Sequence, residues 1–357
     1  MHAAALSRRC AARRPDLPRA WPLSPAARRL ECGLRFTLPQ TQMADLIDYD
    51  YGISAVDTRF ERPHLNASHL MVDGDRAAVI DTGTNSAVPL VLEALAAKGI
   101  APEQVDWIVL THIHLDHAGG AGLLASKLPN ARVTVHPRGA RHMIDPSRLW
   151  ASTLAVYGDE TAHRMYGEIV PIPAARIVET PDGASVPLGR RTLRFHDTPG
   201  HARHHVCVHD SASGHVFTGD TFGLSYREVD VGARQSVFPT TSPTQWEPEA
   251  HHRSVALIES LAPGAVYVTH YSQVRDVPRL AADLHRLIDA HAALGEREKN
   301  AGAARHERLR AGVRDLVLAE AVRQGWTLPT EAVLEVFGVD IELNAQGLGA
   351  WLDARAA

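Results

Sequence analysis

The 357-residue sequence predicts an α/β fold, on three observations. Short apolar runs of strand length recur along it, segments of helical spacing separate the earliest of them, and histidine or aspartate follows the end of several. Hydrophobic residues make up 45% and charged residues 22%, an ordinary balance for a soluble globular protein. The length allows one large domain or two. No apolar run approaches the roughly 20 residues that a helical membrane span needs.

The elements follow in order. His69–Val72 and Ala77–Ile80 are short apolar runs joined by Asp73-Gly74-Asp75-Arg76, which reads as a hairpin. Asp81-Thr82-Gly83 ends the second run, and 86–98 is a helix, with Val88, Val91, Leu92 and Leu95 at i, i+3, i+4 and i+7. Val105–Leu110 is a buried strand, followed by a ligand-rich turn, a helix to about Leu128, and a strand at Arg132–Val135. Helices should therefore flank a sheet. Residues 137–175, with prolines at both ends and the aromatics Trp150, Tyr157 and Tyr166, read as a helical insertion that covers a pocket. Thr192–Phe195, Val206–Val208 and His215–Thr218 are consecutive antiparallel strands, and Ala265–Thr269 is a last strand. Beyond Val277 the pattern is helical to the end, with a charged stretch at 295–308 that is either a solvated helix or a linker.

The turn after Leu110 carries the chemistry. Thr111-His112-Ile113-His114-Leu115-Asp116-His117-Ala118-Gly119-Gly120 places three imidazoles and a carboxylate in six positions. The two-residue alternation of a strand sends His112 and His114 out on the same side, and the glycines let the chain bend into a helix. Zinc prefers imidazole nitrogen and carboxylate oxygen, and a catalytic site leaves one position open. These four ligands begin one site or share two. Three later strand ends repeat the pattern: His201 after Thr198-Pro199-Gly200, Asp220 after Phe217-Thr218-Gly219, and His270 after Val266–Thr269. Five histidines and two aspartates suffice for two ions, which lie about 3.5–4 Å apart in two-metal hydrolases, with one carboxylate bridging.

The order His-x-His-x-Asp-His, Gly-His, Gly-Asp, His resembles the metallo-β-lactamase-fold superfamily over roughly residues 48–275, and Asp81-Thr82-Gly83 fits its first motif. The resemblance implies a four-layer αββα sandwich with the metals along one edge. Carried over, His112, His114 and His201 would hold one ion, Asp116, His117 and His270 the other, and Asp220 both. A hydroxide shared by the ions would be the nucleophile, and Asp116 would in addition orient it and take up a proton later. The cofactor is then two divalent ions, zinc by ligand preference, with iron or manganese also compatible. Asp81 would support a ligating imidazole or cap its own turn. His204 and His205 fall on the next strand as non-ligands.

Departures from the family's better-known forms bear on the substrate. Phe217–Thr221 is similar to the glyoxalase II form of its motif, but Phe222–Arg227 lacks the Cys-Gly-Arg segment that continues it there. Acyl-homoserine-lactone hydrolases place a tyrosine three residues after the bridging aspartate, where this chain has Gly223, with Tyr226 and Tyr271 nearby in sequence. The expected function is metal-dependent hydrolysis of an ester-like bond, thioester or lactone, in a small molecule. The alternatives are a nucleic-acid phosphodiesterase of the same fold, a ligand-sensing protein with little turnover, and a single-iron dioxygenase.

The expected division is an extension over 1–42, a catalytic domain over 43–275 and a helical extension over 276–357. Residues 1–42 hold eight of the 37 basic and two of the 41 acidic residues, so 43–357 carry 29 against 39. That acidity disfavours non-specific nucleic-acid binding. The first 42 residues read as a disordered tail, an upstream extension before Met43, or a transit-type peptide. Arg305, Arg308, Arg310, Arg314 and Arg323 share a helix with Leu309, Val313, Leu316 and Val317, so the tail packs its apolar face on the insertion or on a second subunit in a homodimer. Three cysteines, Cys10, Cys32 and Cys207, form no disulfide framework, and the cytoplasm is the default compartment.

Overall fold

The structure, a computed structural model, describes residues 44–241 and 245–356. The extension expected over 1–42, with Cys10 and Cys32, lies outside the described residues, and Cys207 is a buried free thiol. The first sheet comprises β1 (Leu46–Asp48), β2 (Ile53–Asp57), β3 (Ala67–Asp73), β4 (Arg76–Ile80), β5 (Val105–Val109), β6 (Arg132–Val135) and β7 (Ile177–Glu179), side by side in chain order. Pairing is antiparallel as far as β4 and parallel from β4 to β7. Its connections are helical: α1 (Val88–Ala97) after β4, α2 (Leu115–Ala118) and α3 (Ala121–Lys127) after β5, and α4 (Pro137–Ile144), α5 (Ser147–Tyr157) and α6 (Asp159–Tyr166) after β6. The last three are the helices of the expected insertion.

The second sheet holds β8 (Ser185–Leu188), β9 (Arg191–Asp197), β10 (Val206–Asp210), β11 (Val216–Gly219), β12 (Val266–Val268) and β13 (Ser272–Val274), again in chain order. It is antiparallel except where α7 (Pro248–Ser260) crosses between β11 and β12 and makes them parallel. The chain ends in α8 (Val277–Glu298), α9 (Arg305–Gln324), α10 (Thr330–Val336) and α11 (Gly338–Ala356). The charged stretch at 295–308 resolves into the end of α8, a short connection and the start of α9. No helix among the described residues is long and apolar enough to cross a membrane.

Strand alternation decides the layers. Met71, Ala78, Ile80 and Val109 of the first sheet face Phe195, Val206, Val208 and Phe217 of the second, forming the core between sheets. Their neighbours Leu70, Val79 and Ile108 turn the other way and pack with Val88, Val91 and Leu124 of the outer helices. On the far side Cys207, Val216 and Val266 pack with Val255, Ile258, Leu280 and Leu284. The result is the four-layer αββα sandwich with a helical C-terminal extension.

The helix expected to run from the ligand turn to Leu128 is broken at Gly119 and Gly120. The loop after β4 docks there, with Gly120 N–H donating to Gly83 O at 2.8 Å and Thr82 N–H to His117 O at 2.6 Å. A Cβ on Gly120 would lie 2.7 Å from Thr84 O, so the glycine permits the contact.

Candidate metal centre

Parallel pairing of β4 with β5 and of β11 with β12 brings the carboxyl ends of these strands to one edge of the sandwich. Val206 N–H donates to Thr111 O and Ala67 N–H to Thr269 O, each at 2.8 Å, so the sheets are tied where the ligand candidates emerge. His112 and His114 come from the loop after β5, Asp116 and His117 from α2, His201 from the loop between β9 and β10, Asp220 from the end of β11 and His270 from the end of β12. All seven residues named from the sequence are brought together. They form two groups whose donor atoms lie within 4.8 Å of one another, His112, His114, His201 and Asp220 in one, Asp116, His117 and His270 in the other.

The donor atoms converge closely. His114 Nδ1 is 2.9 Å from His112 Nε2 and 3.0 Å from His201 Nε2. His201 Nε2 is 3.4 Å from Asp220 Oδ2. On the other side Asp220 Oδ1 is 3.3 Å from His117 Nε2 and 3.5 Å from His270 Nε2. Asp116 Oδ2 lies 3.4 Å and 3.3 Å from the same two nitrogens. The two oxygens of Asp220 thus face different groups. His114 and Asp116 are the half-buried members, so the site meets solvent beside them.

Fixed partners orient the rings. Asp81 Oδ2 lies 2.9 Å from His117 Nδ1, and the same carboxylate accepts Thr111 N–H at 2.9 Å and the Thr269 hydroxyl at 3.0 Å. Of its two sequence-level roles, support of an imidazole is the one the structure displays. His270 Nδ1 donates to Leu65 O at 2.9 Å, and His201 Nδ1 lies 2.9 Å from the Thr240 hydroxyl. His205, set aside as a non-ligand, accepts the Asp220 N–H on Nε2 at 3.2 Å and meets the Thr198 and Thr221 hydroxyls through Nδ1. Gly219 has φ +48°, and a Cβ there would come within 2.6 Å of both His205 Nε2 and Thr111 Oγ1. Only glycine allows Asp220 to sit on that cradle. Thr240 and His205 were not singled out from the sequence as supports; the position of His205 four residues after His201 was the available signal.

Electrostatics fits a cation. Burial holds His112, His114 and His201 below the usual imidazole value, so they present neutral rings, the form that ligates. Burial opposes charging of His117 as well, but Asp220, Asp116 and Asp81 raise it well above its usual value. Burial would likewise neutralise Asp220, yet His117, His270 and His201 keep it far below the carboxylate range. His117 Nε2 and Asp220 Oδ1 are buried and engaged in no hydrogen bond among the described residues. Orphaned polar atoms of opposite tendency that face each other are what a divalent ion between them would satisfy.

Aromatic groups cover the half-buried side. Tyr166 stacks on Phe60 at 5.8 Å and meets Tyr157 edge-on at 5.5 Å. Burial pushes the Tyr157 hydroxyl up to about 12, and Asp116 adds to the rise in both phenols. Tyr226 donates to Asp340 of α11 at 3.0 Å, while burial raises Asp340 to about 6 and His270 offsets part of the rise. Tyr271 instead packs against Ala55, Ala67 and His64.

The family model of the metallo-beta-lactamase superfamily matches residues 62–270. The chain is 29% identical over 189 residues to a metallo-beta-lactamase fold-containing protein of Sulfurisphaera tokodaii, covering 51% of this chain and 64% of that one. It is 30% identical over 156 residues to a hydroxyacylglutathione hydrolase of Anaeromyxobacter dehalogenans, with 44% and 46% covered. It is 28% identical over 180 residues to an acyl-coenzyme A thioesterase of Gallus gallus, with 47% and 62% covered. The chain thus spans between about half and two thirds of the length of these relatives. A solved archaeal superfamily structure from Sulfolobus tokodaii superposes with a TM-score of 0.55 at 22% identity, over 84% of this chain and 99% of that one. With its seven donors at one sandwich edge and more than half its length under the family model, the chain belongs to the metallo-beta-lactamase superfamily.

Proposed function

We propose that the protein is a hydrolase of small acyl compounds, thioester or lactone, working with two divalent cations, zinc by ligand preference. The observation that carries the reading is Asp220, whose Oδ2 faces His201 at 3.4 Å and whose Oδ1 faces His117 and His270 at 3.3 and 3.5 Å. His112, His114 and His201 would hold one cation and Asp116, His117 and His270 the other, with Asp220 placed to serve both. When bound, such ions polarise a carbonyl oxygen and bring the pKa of water toward neutrality. Asp116, ionised and partly exposed, orients the attacking water, accepts its proton and returns it to the departing thiolate or alkoxide. Asp81 and Leu65 O keep His117 and His270 in one ring orientation through the cycle.

Several features support an acyl substrate over a nucleic-acid strand. The insertion and the tail meet in one apolar cluster that contains Tyr166, Leu284 and Phe337, with Tyr157 packed against it, narrowing the space beside Asp116 and His270. Four of the five arginines noted on α9 are ion-paired with carboxylates: Arg305 with Asp353, Arg308 with Glu298, Arg310 with Glu342 and Arg314 with Asp315. Two of the relatives are named for thioester hydrolysis. Full-length protein supplied with two equivalents of zinc and assayed against thioesters, lactones, β-lactams and phosphodiesters is expected to turn over the first or second class. Turnover of phosphodiesters alone would contradict the reading. So would tight binding of an acyl compound without turnover, or a single iron with oxygen consumption.

A further inference from the structure

A cavity of about 400 Å³ opens beside the metal-ligand cluster. Arg138, Arg141 and His142 of α4 line one side, and Arg203, His204 and Gln245 line the other. His204 connects cavity and centre: its ring centroid lies 5.6 Å from that of His114, edge to face, and 6.2 Å from that of His112, stacked. Only 9% of His204 is exposed, and its Nδ1 is buried without a hydrogen-bond partner among the described residues. That nitrogen is closed off from solvent, so His204 serves as the wall between cavity and centre and the cavity's polar contacts come from its other lining residues.

The charge of the wall specifies which kind. Arg203 is held by Glu247 at 2.8 Å and contributes no net charge. Arg141 Nε reaches only His142, at 3.2 Å, an imidazole that burial biases toward its neutral form. Among the described residues no carboxylate forms an ion pair with Arg138 or Arg141. Two guanidinium charges are therefore uncompensated on a concave surface, Arg138 in the first turn of α4, where the helix dipole is also positive, and Arg141 in its last turn. Guanidinium forks match the paired oxygens of a carboxylate or phosphate. The volume suits a small-molecule arm, and the single imidazole between cavity and cluster sets a short reach.

We propose that this cavity binds an anionic arm of the substrate, a carboxylate or phosphate a few bonds from the scissile carbonyl, so that the protein selects anionic acyl compounds over neutral ones. This selectivity rests on the hydrolase reading above; the anion site itself does not. The test compares full-length protein with R138A/R141A, both exposed positions. Calorimetric titration with glutarate and with phenyl phosphate is expected to give binding that the double variant weakens at least about tenfold, and the anion more affected identifies the arm. Among N-acetylcysteamine thioesters, the variant should lose about tenfold more kcat/KM on the succinyl than on the propionyl compound. Equal anion binding by both proteins, or equal losses on the two thioesters, would overturn the proposal. Weakened anion binding without turnover of any thioester or lactone would uphold the site and overturn the hydrolase reading.

Discussion

Asp81 concentrates the logic of the centre in one side chain. Its carboxylate accepts from Thr111 after β5 and Thr269 after β12 and meets His117 on α2, so a single residue after β4 sets where three ligand-bearing segments end. Its φ of +52° is a left-handed conformation that aspartate tolerates better than most residues. Asp81→Asn keeps the shape but turns an amide donor toward groups that themselves donate. Metal affinity measured by competition with a chromophoric chelator should fall about 10- to 100-fold; an unchanged affinity would mean that the ring of His117 is positioned by packing alone. The seven candidate ligands could be named from the sequence because each follows an apolar run at a turn, a pattern that packing seldom produces. His205 was not, because a buried histidine that accepts a backbone N–H has the same letter and flanks as one that merely fills space.

At the scale of elements, the helical tail reaches the centre through Tyr226. Its hydroxyl donates to Asp340, its ring meets Phe337 edge-on at 5.4 Å, and the Arg62 guanidinium lies 4.5 Å above it. The hydrogen bond favours the ionised form of Asp340 and offsets part of the effect of burial, which still leaves the group raised to about 6. Removing it by Tyr226→Phe should therefore cost stability mainly above pH 6, about 1–3 kcal/mol. Below pH 6, where Asp340 is protonated in either protein, the gap should shrink. Urea unfolding at pH 5 and pH 8 checks this; a gap of equal size at both would mean that only packing was lost. The strands missed in the sequence are short or without contrast. β2 is buried at every position, so its alternation is invisible, β1, β7 and β13 have three residues each, and β8 alternates but has only four residues with Pro187 among them. α7 was missed because His251 and Ser254 share its buried face with Val255 and Ile258.

For the whole molecule, buried neutral histidines make the fold acid-sensitive. His291 of α8 is fully buried against Phe238, and burial lowers its pKa to about 4 although Leu287 O accepts from its Nδ1. The unfolded value is about 6.5, so between the two the unfolded chain binds the extra proton and stability falls as pH drops through that window. Replacing His291 by leucine should reduce the loss of unfolding free energy between pH 7 and pH 5 by about 1–2 kcal/mol; an unaltered slope would place the sensitivity elsewhere. The layer order was legible only through the family resemblance, because β3, β4 and β10 are buried almost throughout and their two faces look alike in the sequence. The substrate was not, because it depends on α4, α5, α6 and α11, which come from distant parts of the chain and meet only in the folded protein. The central claim is that Asp220 joins two cation sites into one hydrolytic centre. Metal content and thioester turnover of the wild type and of Asp220→Ala, measured on the same preparations, test it most directly. Two ions per chain in the wild type, with ions lost and turnover reduced on the order of 10²–10³ or more in the variant, is the predicted result. One ion per wild-type chain, or a variant that hydrolyses at the wild-type rate, would contradict it.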